Sequence, residues 1–201
     1  MCGVVGYIEK KYSNDNIDIL YKIIGQSKIR GLHSFGYSYY TDKIVTNKYH
    51  TLTNIVLPDA KKIIYHNRYA TSGDYQEHIN NQPIVRKDRS LVFNGVLDMR
   101  TKQEMQKAYN IVMQTDNDGE ILLQKCKSKN DIIKFVTNTK GSFAGLILHK
   151  DKLYAIRNAH RPLWRLETDT AIYYASTKDI FKRVDKTYKP IELKPNIIYE
   201  D

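Results

Sequence analysis

Cysteine is scarce: 201 residues contain two, Cys2 and Cys126. That is too few for a disulfide framework, and no Cys/His spacing suggests a zinc site. No apolar stretch approaches the ~20 residues needed to span a bilayer. The N-terminus lacks the basic segment and apolar core of a secretion signal, so a cytoplasmic protein with no membrane partner is expected. Proline and glycine are few, 5 and 10 residues, and gather into no linker. With no internal repeat and no low-complexity tract, a single domain over residues 2–201 is expected.

Positive charge, in contrast, is plentiful, with a formal net charge of +10. An excess of this size can mark a polyanion partner. Here the lysines fall in short pieces, Lys10-Lys11, Lys61-Lys62 and Lys125 to Lys129, separated by acids. The chain is also rich in Lys, Asn, Ile and Tyr, all served by AT-rich codons, so codon bias accounts for the balance. No zinc-finger, RNP or basic-zipper pattern is present, and the pattern argues against nucleic acid as a partner.

Alternating and continuous apolar runs predict strands in "CGVVGYIE", "SFGYSYYT", "KIVTNKYH", "KKIIYHNRY", "PIVRK", "SLVFNG", "YNIVMQT", "AIYYAS" and "NIIYE". "SFAGLILHKDKLYAIRN" predicts a hairpin turning at Lys150-Asp151. Helical spacing appears in "NDNIDILYKIIGQSK", with Asn14 or Asp15 as cap, and in "DMRTKQEMQKA", "DGEILLQKCKS", "NDIIKFVTNT" and "TKDIFKRV". Cys126 falls in the third of these as a packing residue. Many antiparallel strands with helices in pairs predict an α+β fold, helices packed outside a two-sheet core.

Cys2 stands directly behind the initiator methionine, which is normally trimmed before a small residue. A terminal cysteine carries its own amine, of pKa ~7.7–8.0, beside a thiol of pKa ~8.5, and the amine is close enough in strength to take the thiol proton. Four polar clusters also interrupt strands or their ends: "IRGLHSFG", "HNRYATSG", "FNGVLD" and "TDNDGEILL". Each alone has a structural explanation. Arg68 would be a surface charge, Asn94-Gly95 a hairpin turn and Asp118 a helix cap.

Together and in order, "MCGVVGY", "RGLHSFG", "HNRYATSG", "QPIV", "VFNGVLD", "TDNDGEILL" and "GSFAGLIL…YAIRNAHRPLW" resemble the glutaminase domain of class II glutamine amidotransferases. These are N-terminal-nucleophile hydrolases, and "HNRYAT" is most similar to the amidophosphoribosyltransferase and glucosamine-6-phosphate synthase branches. The resemblance runs from Cys2 to about "YYAST". It implies a four-layer αββα sandwich of two antiparallel sheets.

It also implies roles. Cys2 would attack the side-chain amide of glutamine to form a thioester and release ammonia. Asn94, through its carboxamide, and Gly95, through its N–H, would bind the oxyanion. Arg68 would hold the α-carboxylate, Asp118 the α-ammonium, and Thr71 would line the same pocket. Arg30 would brace the nucleophile region. The step needs no metal or organic cofactor. Its partners would be L-glutamine and a separate ammonia-acceptor enzyme or synthetase subunit, since the chain stops about where such a domain should end.

Departures exist: His33 replaces the family's usual Asp, Ser72 replaces a His found in some members, and Met99 stands where a second Asn often follows. A catalytically silent glutamine-binding or scaffold subunit is the alternative these departures suggest. A related N-terminal-nucleophile hydrolase acting on another amide is a third reading.

Overall fold

Side-chain alternation assigns each strand residue to one of two faces, and the faces assemble four layers. The computed structural model describes residues 2–51, 55–70 and 73–201. In chain order come β1 (Gly3–Glu9), α1 (Asn14–Ser27), β2 (Ser34–Tyr40), β3 (Ile44–Tyr49), β4 (Lys62–Arg68), β5 (Ile84–Arg86) and β6 (Arg89–Val96). Next are α2 (Lys102–Tyr109), α3 (Gly119–Lys125), α4 (Lys129–Asn138), β7 (Ser142–His149) and β8 (Lys152–Arg157). The chain continues through β9 (Trp164–Glu167), β10 (Ala171–Ala175), α5 (Lys178–Val184), β11 (Ile191–Glu192) and β12 (Tyr199–Glu200).

One sheet has the order β11-β9-β10-β1-β4-β2-β3 and the other β12-β8-β7-β6-β5. The resolved pairings are antiparallel throughout. Along β1, Val5 and Tyr7 pack outward with Leu20 and Ile23 of α1 and Ile180 and Phe181 of α5. Val4 and Ile8 point the other way, into the layer between the sheets, where they meet Leu146, Leu148, Ile172 and Tyr174. The outer face of the second sheet, with Leu91, Phe93 and Ile147, carries Leu122 and Leu123 of α3 and Ile132 and Val136 of α4. Each such fully buried side chain contributes roughly 1.5–3 kcal/mol. The expected αββα sandwich is the observed one.

Between the sheets, Gly6 marks the point of closest approach, since a Cβ there would lie 2.5 Å from Leu146 Cδ1. Capping boxes at Thr101/Glu104 and Ser128/Asp131 begin α2 and α4.

Several local expectations change. Ser13, not Asn14 or Asp15, is the N-cap residue of α1. Cys126 follows α3 as its C-cap residue, though it is buried as expected. "YNIVMQT" is no strand beyond the end of α2. The Met113 N–H donates to Gln106 Oε1, and the N–H groups of Gln114 and Thr115 donate to the Glu120 carboxylate. Side-chain acceptors there replace a neighbouring strand. The unanticipated β9 owes its existence to pairing with β10.

Candidate active site

The alternation that sorts the core also aims polar side chains. Stepping back along β1 from Val4 puts Cys2 on the inter-sheet side. Stepping forward along β4 from Ile64 through His66 does the same for Arg68, and β6 does it for Asn94 beyond Val92. Pairing of Gly3 with Asn67 brings the ends of β1 and β4 side by side. The Cys2 backbone N donates to Asn94 Oδ1 at 3.2 Å, joining the two sheets.

Cys2, Arg68, Gly95 and Asp118 line a single small cavity, together with Tyr69, Gln82, Phe93 and Asn117. Asn94 stands behind it, held to Cys2. Arg30 Nε donates to the Cys2 carbonyl at 3.3 Å. Thr71 lies outside the described residues. Met99 is 91% exposed and has no place in the cavity wall.

Asn94-Gly95 is not a hairpin turn: both residues sit inside β6, opposite Ala144 and Phe143 of β7. A Cβ on Gly95 would lie 2.1 Å from the Ser142 carbonyl oxygen, so close backbone approach requires glycine there. Phe93 directs its N–H and C=O to the side-chain amide of Gln82, off the edge away from β7. Two residues on, the antiparallel pattern turns the Gly95 N–H to that same edge, where the cavity lies. The Asn94 Nδ2 group is buried with no hydrogen-bond partner among the described residues.

Arg68 is no surface charge. It is 2% exposed, and its guanidinium is oriented by Asn81 Oδ1 at 2.5 Å and the Gly73 carbonyl at 3.0 Å. Asp118 does occupy the N-cap position of α3, but its side chain makes no capping bond. Its Oδ2 instead accepts the N–H groups of Leu97 at 2.6 Å and Asp98 at 3.2 Å.

Gln82 and Asn81 escaped the sequence reading. "QPIV" was a matching segment, yet nothing local says that Gln82 clasps β6 or that Asn81 orients a guanidinium 13 residues away.

Burial dominates the electrostatics. It raises the Cys2 thiol pKa, opposed by the hydrogen bond with the Tyr69 backbone and by the Arg68 and Arg30 charges. Burial also raises the Asp118 carboxyl, against backbone N–H donors, and lowers both Arg68 and Arg30. Such a site gains most from a ligand carrying complementary charges. Among the described residues no group of three or more His, Cys, Asp or Glu could hold a metal ion. No helix among them is long and apolar enough to cross a membrane.

His66, two residues before Arg68, is fully buried, with Nε2 3.1 Å from the Phe93 carbonyl oxygen. Burial pulls its pKa down to about 3, so the fold holds it neutral. The unfolded chain takes up this proton first as pH falls below ~6.5, so stability present above that pH is lost toward pH 3. Between pH 7 and 5 the expected loss is ~2 kcal/mol from this residue. Denaturant titration at both pH values checks it. His66→Gln should remove that part of the loss, and an unchanged difference in the variant would refute the assignment.

The fold has counterparts among known proteins. A family model described as a glutamine amidotransferase domain matches residues 66–183, more than half of the chain. Cys2 and Arg30 precede that match and join the site through tertiary structure.

Among solved structures, the glutamine phosphoribosylpyrophosphate amidotransferase from B. subtilis superposes with a TM-score of 0.75 at 20% identity, covering 100% of this chain and 49% of that one. A structure described as the allosteric regulatory enzyme of purine biosynthesis gives 0.74 at 24% identity, covering 96% and 45%. The chain thus spans about half the length of these two. A glutamine aminotransferase class-II domain protein from Silicibacter pomeroyi gives 0.59 at 11% identity, covering 99% and 94%. A search of curated proteins finds no sequence match. With the sandwich common to these structures and a family model that matches more than half of the chain, the chain belongs to the glutamine amidotransferase domain family.

Proposed function

We propose that this chain is a class II glutamine amidotransferase domain that hydrolyses the side-chain amide of L-glutamine through a Cys2 thioester. The supporting observation is the convergence of Cys2, Arg68, Gly95 and Asp118 on one cavity, with the partnerless Asn94 Nδ2 beside the nucleophile.

Once Met1 is removed, the Cys2 α-amine takes the thiol proton and Sγ bonds to the amide carbon. The carbonyl oxygen becomes an oxyanion, met by Asn94 Nδ2 and the Gly95 N–H. The C–N bond then breaks, and the ammonium proton passes to the departing nitrogen, which leaves as ammonia. Water, deprotonated by the same amine, cleaves the thioester to give glutamate and the free thiol. Arg68 and Asp118, a fixed cation and a fixed anion, suit the α-carboxylate and α-ammonium of free glutamine. Asp118 is a buried charge that the substrate ammonium would compensate.

The ammonia passes to an acceptor domain or enzyme. The two longer relatives devote about half of their length to something other than this fold. A tight complex is needed, because ammonia released into neutral water is protonated and lost.

Asp118→Asn keeps an acceptor for Leu97 and Asp98 while removing the charge. It is expected to raise KM for glutamine ~100-fold with kcat changed only a few-fold. Steady-state assays of glutamate formation measure this, and a KM within ~3-fold of wild type would exclude the ammonium role. Isothermal titration separates the silent-subunit alternative, which binds glutamine without turning it over.

A further inference from the structure

His33 immediately precedes β2, and its backbone N–H donates to the Arg68 carbonyl at 3.0 Å. The imidazole lies between two tyrosine rings, with centroids 5.0 Å from Tyr69 and 4.7 Å from Tyr75, both stacked. Its Nδ1 sits 2.9 Å from the Ala70 backbone nitrogen. That N–H belongs to the same peptide group as the Tyr69 carbonyl, which accepts from Cys2 Sγ at 3.5 Å. The Tyr69 N–H in turn donates to the sulfur at 3.4 Å.

A peptide group is rigid and trans, so fixing the direction of its N–H fixes its carbonyl. We propose that His33 is a positioning residue for the nucleophile, accepting the Ala70 N–H and thereby holding the Tyr69 carbonyl against the Cys2 thiol. This rests on the reading of Cys2 as nucleophile. The acceptor must be an unprotonated Nδ1, which puts the ring hydrogen on Nε2. The stacked tyrosines keep the ring in the plane that the bond requires. An acceptor here acts on the position of the sulfur, while Arg68 and Asp118 bind the substrate, so its loss falls on kcat more than on KM.

Long-range proton–nitrogen correlation spectra of the full chain in neutral solution should show His33 as the Nε2–H tautomer. His33→Phe keeps an aromatic ring but no acceptor. It is expected to speed Ala70 amide exchange ~10-fold or more and to lower kcat ~10-fold, with KM within ~3-fold. His33→Asn restores an acceptor near the Nδ1 position and should recover most of both.

An Nδ1–H tautomer in the wild-type chain would overturn the inference, and so would unchanged Ala70 exchange in His33→Phe. So would accelerated exchange with unaltered kcat, which would reduce the bond to a structural one. Wild-type protein with the expected tautomer and no turnover beside its acceptor enzyme would refute the nucleophile reading and the catalytic role of His33 with it.

Discussion

Cys2→Ala should abolish glutamine hydrolysis, by at least ~10⁴-fold, and remove any covalent adduct with an electrophilic glutamine analogue. No other sulfur can substitute. Cys126 is 1% exposed, and burial pushes its thiol up to about 12. Chains that retain Met1 should behave similarly, because the amide nitrogen of Cys2 would have no lone pair to serve as base. Intact-mass spectrometry with and without the analogue separates the two populations. The adduct is expected only on chains that begin at Cys2. Full turnover by Cys2→Ala, or by chains shown to keep Met1, would end the thioester mechanism.

Asn94→Ala carries the second large expectation, a loss of ~10²–10³ in kcat with KM little altered. Its carboxamide faces two ways: Oδ1 accepts from the Cys2 nitrogen at 3.2 Å, and Nδ2 is buried without a partner. An unfilled donor in such a place costs stability in the empty site and is satisfied when charge develops on the substrate oxygen. Removing it therefore harms the transition state while relieving the resting protein. Asn94→Ala is expected to unfold no more readily than wild type at the level of Nδ2 burial, apart from the loss of the Cys2 contact. Kinetics and denaturant titration on the same preparation measure both. A kcat within ~3-fold of wild type would remove Asn94 from the oxyanion site.

These two expectations differ in how far they were visible before the fold was known. The strand alternation of "VVGYIE", "KIIYHNR" and "SLVFNG" was legible, and so was the chemistry of a terminal cysteine. The family resemblance selected Arg68, Asn94, Gly95 and Asp118 from among many similar residues. What failed was local: "YNIVMQT" has the composition of a strand, but Gln106 and Glu120 take its N–H groups, and β9 is a strand because β10 and β11 lie on either side of it. Gln82 and Asn81 were silent for the same reason, and His33 was legible only as a departure from the family pattern, since each acts on backbone or side-chain groups distant in sequence.

By itself, the sequence determined which residues share a face of each strand, because the two-residue period of a strand is a property of neighbouring bonds. It also determined that a thiol, a cation, an anion and an amide donor were available. Tertiary structure alone decided that they meet. Cys2 and Asn94 are 92 residues apart, and only the register of each sheet and the stacking of one sheet on the other set their separation. Why Gly95 must be glycine was settled there too: the obstacle is the Ser142 carbonyl of the neighbouring strand, a clash that no short-range pattern encodes.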